Sequence, residues 1–501
     1  MLVRIVEAEI LNFKNVGRGT VQFANYSAVQ RRAALEKTDV EGIYGQNGSG
    51  KTALVEAMAI LRDILAGQPV KSQTYGELIA PDGSTVFRLK FFIEANDRKY
   101  LADYKVNLLS CQQGADSPEF LPLFQEELVY YTRGITWKGK RQLSVKNTYY
   151  DADALLTQAA PSIVQAPAES FTQVPLLQNS DKLILIGSQK GTSVFFNGYL
   201  EKQLAALENL GEDPADLHNV ISALHMFAFV NFQVVKVNQL GAINLKTFLP
   251  LMIHEKTNAS ISHSNIMLSL KEDNIEEEAY KLLQNALPSL NIALSSLVPN
   301  LKIDIRETER TVQDDKTFVH VSIEAIRNGK RFSIRYESEG IQRIISLLSY
   351  LIALYNDSQI CLVVDEFDDG IFEYLLGELV GVLGKEARGQ LIFTSHNLRV
   401  LEKLDYRRIL CTTTNPQNRY IHLTGVGANN NKRDFYIRSI TIGGQQEELY
   451  DDADLGNIST SFRRAYSYKP GKENDQNRSS RITRLQQAIA NAARGTAHAQ
   501  A

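Results

Sequence analysis

Cysteine is scarce in this chain of 501 residues. Cys111, Cys361 and Cys411 are the three present, and none are spaced as metal ligands. That excludes a disulfide framework and structural zinc, and it fits a reducing compartment. The sequence also lacks a signal peptide and any apolar run long enough to span a bilayer, so a cytoplasmic protein with no membrane partner is expected. Sustained apolar heptads are missing: the helical segments are short and are interrupted by Gly241, Pro288 and Pro299, which excludes a long coiled coil. Basic excess is missing too. A net charge of −3 is not that of an obligate nucleic-acid binder, although a local basic groove would not show in the total. What remains is ordinary globular composition, 44% hydrophobic and 22% charged, in a chain able to bury one large core or two.

Against that background one octapeptide stands out, Gly45-Gln46-Asn47-Gly48-Ser49-Gly50-Lys51-Thr52. It has the form of a phosphate-binding loop. Its glycines let the backbone N–H groups point at phosphate oxygens, with the positive end of the next helix behind them. Lys51 then reaches the β- and γ-phosphates, and the Thr52 hydroxyl ligates Mg²⁺. Gly42-Ile43-Tyr44 ahead of it reads as a buried strand, and Ala53 to Leu65 has helical apolar spacing.

Two further segments narrow the chemistry. The apolar run Ile360-Cys361-Leu362-Val363-Val364 leads into Asp365-Glu366. Such a run suits a central parallel strand buried on both faces, and acids at its carboxyl end project where open α/β sheets bind ligands. Asp365 would hold Mg²⁺ through water, and Glu366 would orient and deprotonate the attacking water. One helix later (Ile371 to Leu383), the strand Gln390–Thr394 leads to Ser395 and His396. A histidine at that strand end can donate a hydrogen bond to the γ-phosphate.

The order of the phosphate loop, Ser338-Glu339-Gly340, Asp365-Glu366 and His396, together with the opening Ile5 to Asn15, resembles the ABC-type ATPase heads of the SMC/RecF/OLD superfamily. The resemblance spans roughly residues 1–110 and 320–425. It is closest to the stand-alone ATPase subunits of bacterial anti-phage systems such as Septu and PARIS. It implies ATP as the nucleotide and an α/β fold: a mixed central sheet flanked by helices, an antiparallel β subdomain and a helical insert. It implies that Ser338 and Gly340 form a signature that caps the γ-phosphate held by a second subunit, and that Asp369 lies in a loop crossing that interface. The nucleotide would then be held by Gly45, Asn47, Gly48, Ser49, Gly50, Lys51 and Thr52, with Ser338, Gly340 and Asp369 contributing across a head-to-head dimer or larger homo-oligomer. The glutamine that the family places near the phosphates has two candidates here, Gln125 and Gln142. Ser338 also reads simply as a helix N-cap.

The organisation expected is a head in two parts, residues 1–111 and 301–445, around a linker and mainly helical insert at 112–300. An irregular segment and a disordered basic tail would fill 446–501. Hairpins are expected at Val86–Leu109 around Asn96-Asp97 and at Val319–Tyr336 around Asn328-Gly329. Helices are expected at Val194–Leu210, at Pro214–Phe229 behind an Asp213 cap, and at Asn274–Asn285; Arg408–Thr412, Tyr420–Thr424 and Ile440–Gly444 read as strands. Arg481–Arg494 reads as a short amphipathic helix. No second catalytic set has supporting context: Asp151-Ala152-Asp153 and Asp452-Ala453-Asp454 follow no convincing buried strand. Two functions fit these observations. One is a slow regulatory ATPase controlling a separately encoded nuclease or toxin in anti-phage defence. The other is a repair ATPase clamping duplex DNA, for which the RecF-like opening strand and the basic stretch Arg463, Arg464, Lys469, Lys472, Arg478, Arg481 and Arg484 are the motivation.

Overall fold

Cys361, Leu362, Val363 and Val364 are all buried, and alternate residues enter different hydrophobic clusters: Cys361 and Val363 one, Leu362 and Val364 the other. A strand covered on both faces needs such an unbroken apolar run. This strand, β15 (Cys361–Val364), sits inside a six-stranded sheet. The computed structural model describes residues 1–30, 34–79, 84–109, 123–133, 145–151, 192–193, 195–198, 200–202, 212–236, 248–256, 261–269, 273–314, 316–426, 431–451 and 455–467. These fall into two units, Met1–Tyr450 and Asp451–Ala501.

The core sheet runs β18 (Tyr420–His422), β17 (Ile409–Thr412), β3 (Asp39–Tyr44), β16 (Gln390–Thr394), β15 and β8 (Phe232–Val235). All neighbours pair parallel except the β17–β18 edge. One face packs on α1 (Lys51–Leu65) and an antiparallel sheet. That second sheet contains β2 (Val16–Gln22), β1 (Leu2–Phe13), β4 (Ser84–Ala95), β5 (Arg98–Leu109), β6 (Leu123–Arg133) and β7 (Val145–Asp151) in spatial order. The turn joining β4 to β5 places Asn96 and Asp97 at φ 49° and 56°, the primed hairpin that the sequence predicts.

The other face of the core sheet packs on α4 (Glu339–Asn356), α5 (Glu373–Glu386) and α6 (Leu398–Lys403). The same cluster includes α3 (Glu277–Leu297) on a small sheet of β11 (Asp273–Glu276), β12 (Leu301–Gln313), β13 (Lys316–Arg327) and β14 (Lys330–Ser333). The fold class is α/β, as the sequence predicts.

The segment read as a linker and helical insert departs from expectation. It contributes β6 and β7 to the antiparallel sheet and β8 to the core sheet, and β9 (Phe248–Lys256) pairs with β10 (Ile261–Ser269). The expected helix behind an Asp213 cap is α2 (Glu212–Met226), with Asp213 inside it, and a π-turn at Phe227–Asn231 delivers the chain to β8. Asn274 to Glu276 are strand rather than helix because they pair with Phe318–His320 of β13, and α3 starts at Glu277. Pro288 does not end that helix. Removing a backbone hydrogen bond costs about 3 kcal/mol. Leu283, Leu287, Leu290 and Leu294 are buried on the same face of α3, each worth roughly 2 kcal/mol, and they outweigh it.

Ile440–Gly444 is not a strand either. Asn431 caps α7 (Lys432–Thr441), accepting from the Arg433 N–H at 3.0 Å, and Gly443 and Gly444 at φ 80° and 100° end it. In the second unit, Leu455–Ser467 form α8, with Ile458 to Tyr466 exposed. Arg463 and Arg464 lie on it, whereas the basic residues beyond Ser467, most of Val194–Leu210, the segment 481–494 and Gln142 lie outside the described residues.

Candidate functional site

Three adjacent parallel strands, β3, β16 and β15, end on one edge of the core sheet and deliver the phosphate loop, His396 and Asp365-Glu366 side by side. That is the edge where open α/β sheets bind ligands. The site residues named from sequence on these three strand ends therefore come together.

The loop's shape depends on its glycines. Gly45, Gly48 and Gly50 have φ of 155°, 75° and 102°. A Cβ on Gly45 would lie 1.7 Å from the Thr412 hydroxyl, so the position admits no side chain. Asn47 and Gly48 are exposed at the tip, while Ser49 and Gly50 are buried. The Ser49 hydroxyl donates to the Gln46 carbonyl at 2.7 Å. Lys51 folds back over the loop, donating to the Gly45 and Gln46 carbonyls at 2.8 and 2.9 Å. Burial pulls its pKa down to about 8, against the pull of Asp365, Glu366 and Asp368. The N-terminus of α1 has no side-chain cap, because its N-cap is Gly50.

Asp365 is buried, and its Oδ1 accepts from the Thr394 hydroxyl at 2.6 Å. Thr394 Oγ1 in turn accepts from the Glu366 N–H at 2.8 Å. One threonine at the end of β16 thus orients both acids. Oδ2 of Asp365 is buried without a hydrogen-bond partner. Burial raises the Asp365 pKa, opposed by the Thr394 and Thr52 hydroxyls. A buried carboxylate oxygen with no partner, beside a threonine hydroxyl, is the donor set that a hard cation takes.

Glu366 adopts φ 46°, the left-handed region that a non-glycine residue occupies only under constraint. Burial and then Asp365, Asp369 and Asp368 raise its pKa above the ordinary carboxylate value, while Arg343 lowers it. Arg343, on α4, is itself buried and donates to the backbone carbonyls of Asp365 and Glu366. It ties the helix that starts at Ser338 to the acidic turn. The His396 backbone N–H donates to Asp368 Oδ2 at 3.1 Å; the residue is exposed overall, and partial desolvation and then Lys51 lower its pKa.

Ser338 is the N-cap of α4, its hydroxyl accepting from the Ile341 N–H at 3.4 Å. Gly340 lies against the turn after Asp369: a Cβ there would meet the Gly370 carbonyl oxygen at 1.9 Å. Both residues thus have a role inside this chain. Gln125 lies on β6, opposite Asn107 and three strands from Leu11, in the antiparallel sheet rather than on the core-sheet edge. Sequence reasoning missed Thr394 and Arg343. It also missed a group on the far side of the loop: Asn15, Thr412, Arg419 and Tyr420.

Together these features define an α/β fold with a glycine-rich loop, a histidine and an acidic pair at one edge of its core sheet. No protein-family model matches the chain, and no curated protein matches it. Solved structures of SMC head domains are similar to it. One, from Pyrococcus furiosus and bound to the C-terminal domain of ScpA, is 12% identical at a TM-score of 0.38, covering 84% of this chain and 96% of that one. The SMC head domain from Thermotoga maritima is 14% identical at a TM-score of 0.34, over 84% and 100%. One from Pyrococcus yayanosii, with a coiled coil and joint, is 13% identical at 0.39, over 87% and 99%. No described helix is long and apolar enough to cross a membrane.

Proposed function

We propose that this chain binds ATP at Gly45–Thr52 and hydrolyses it slowly, as the sensor or scaffold subunit of an anti-phage system that controls a separately encoded nuclease or toxin. The convergence of Lys51, Glu366 and His396 from three neighbouring strand ends supports the ATPase step. The defence role is supported by the resemblance to stand-alone ATPase subunits.

The loop N–H groups and the N-terminus of α1 bind the phosphates, and Lys51 leaves its loop carbonyls for the β- and γ-phosphates. Glu366, raised by burial, is the base that orients and deprotonates the attacking water. His396 donates to the γ-phosphate. Thr52 and Asp365 would hold Mg²⁺, which neutralises charge on the phosphate oxygens when bound. Ser338 and Gly340, with Asp369 beside them, would contact the γ-phosphate held by a second copy.

The test is steady-state ATP hydrolysis by the purified protein, with and without duplex DNA and with Glu366→Gln as the blank. A slow rate indifferent to DNA is expected. Strong stimulation by DNA would replace the sensor reading with the DNA-clamping one, and no rate above the blank would overturn the ATPase.

A further inference from the structure

The phosphate loop is braced from the side of β17 and β18, away from the strand ends that carry His396 and Asp365-Glu366. Thr412 ends β17, and its hydroxyl meets the Ser49 hydroxyl and donates to the Tyr44 carbonyl at 3.2 Å. The chain then loops through Thr413–Arg419 into β18. Tyr420, buried, donates its hydroxyl proton to the Gly50 carbonyl at 2.8 Å. Arg419, also buried, donates to the Asn15 carbonyl at 2.7 Å, and its Cγ lies 3.2 Å from where a Gly50 Cβ would be. Asn15 completes the ring by donating its side-chain N–H to the Gly48 carbonyl. Two loop carbonyls, those of Gly48 and Gly50, are thus held by side-chain donors from the turn after β1 and from β18, and the Ser49 side chain lies against Thr412 of β17.

The brace has an anchor at its far end. Glu447 accepts from the side-chain amides of Asn415 at 3.1 Å and Asn418 at 2.9 Å, and the Thr414 N–H donates to the Glu448 carbonyl at 2.9 Å. The strand β2 closes the side: the Arg18 N–H donates to Pro416 and the Arg419 N–H to Arg18, at 2.8 and 3.1 Å. Gly17 admits the loop, since a Cβ there would lie 2.6 Å from the Gln417 amide nitrogen.

We infer that Thr413–Arg419, with Tyr420 and Asn15, is a strut that holds Gly48–Gly50 in the phosphate-binding shape, so that Asn15, Arg419 and Tyr420 are positioning residues for the nucleotide. The inference rests on the ATPase reading above. None of these side chains needs to touch ATP. Asn15 and Tyr420 bond the loop carbonyls of Gly48 and Gly50, and Arg419 holds Asn15 through its carbonyl, so the strut spends no loop N–H group. Preorganisation of this kind acts on affinity, because the loop's ordering cost is met before the ligand arrives.

The test compares Tyr420→Phe, which keeps the ring and removes the donor, with Glu447→Ala at the far end of the loop. Glu378→Gln, which affects a surface pair with Lys403, is the control. A fluorescent ATP analogue gives Kd, and hydrolysis gives KM and kcat separately. Tyr420→Phe is expected to raise Kd and KM together by about fivefold, the effect of one lost hydrogen bond, with kcat within about twofold. Glu447→Ala should shift the same two quantities in the same direction by about twofold, with the control unchanged. If Tyr420→Phe fails to fold, Glu447→Ala decides. Unchanged Kd in both variants, with only a lower unfolding temperature, would overturn the strut. A wild-type protein that binds no analogue overturns the ATPase reading itself, and the strut with it.

Discussion

Two helix N-termini carry residues of the candidate site, and they are prepared differently. The start of α1 is Gly50 at φ 102°, with no side-chain cap. The start of α4 is Ser338, whose hydroxyl already serves the Ile341 N–H. The first keeps its donors for an anion; the second is satisfied within the chain and needs no ligand to be stable. On the proposed ATPase reading, the uncapped end with a buried lysine behind it is the phosphate site, whereas the capped end acquires such a role only if a second copy supplies the phosphate.

The largest effects should fall on the uncapped end. Lys51→Ala is expected to abolish ATP-analogue binding, because the loop's only positive side chain is lost from a buried place. Glu366→Gln should bind ATP as wild type does and lose turnover by about 10²-fold or more. Normal hydrolysis by either variant would remove the site from β3 and β15 altogether.

The capped end separates local from shared function. At 3.4 Å the Ser338 cap is a weak hydrogen bond, so Ser338→Ala should cost only about 0.5 kcal/mol of stability. If Ser338 also meets the γ-phosphate of a second copy, turnover should fall by about tenfold at nearly unchanged unfolding temperature. A fall in stability alone, with full turnover, would reduce Ser338 to its cap.

The contrast between these ends was half visible in the sequence. The octapeptide, the acidic strand end and the histidine are local patterns, and each landed where its spacing placed it. Ser338 was legible both as a cap and as a signature, and the cap is what the chain's own geometry displays. Thr394 and Arg343 were not legible, because each acts on Asp365 or Glu366 across strand register or helix packing. Strand β8 escaped because Phe-Gln-Val-Val is too short to distinguish from a buried helical turn. Pro288 misled for the opposite reason: its cost is local, while the leucine stripe that overrides it is paid back only on packing.

A smaller effect separates the free from the loaded loop. Lys51 titrates at about 8, so its charge is lost as pH rises through that value. The alkaline limb of kcat/KM, which reports the free enzyme, should lie near there. That of kcat should lie higher, because bound phosphates hold the proton. Coincident limbs would mean that Lys51 does not face the phosphates.

The smallest effect lies at the other end of β3. There Asp39 and Glu41 are buried on the strand that carries the loop, and Glu41 Oε2 has no partner. Burial, and then Asp39, raise the Glu41 pKa well above its usual value. The sign follows: a group whose folded pKa is raised loses stability for the fold as pH climbs from its ordinary value through the raised one. Glu41→Gln keeps an acceptor for the Ala24 N–H and removes that loss. The variant's unfolding temperature should exceed wild type by a few degrees, about 2–4 °C, at pH 8, and the two curves should converge toward pH 4. A difference that persists at pH 4 would trace the effect to packing rather than to charge. A buried charge at the phosphate end of β3 would then serve binding, while the one at its far end only burdens the fold.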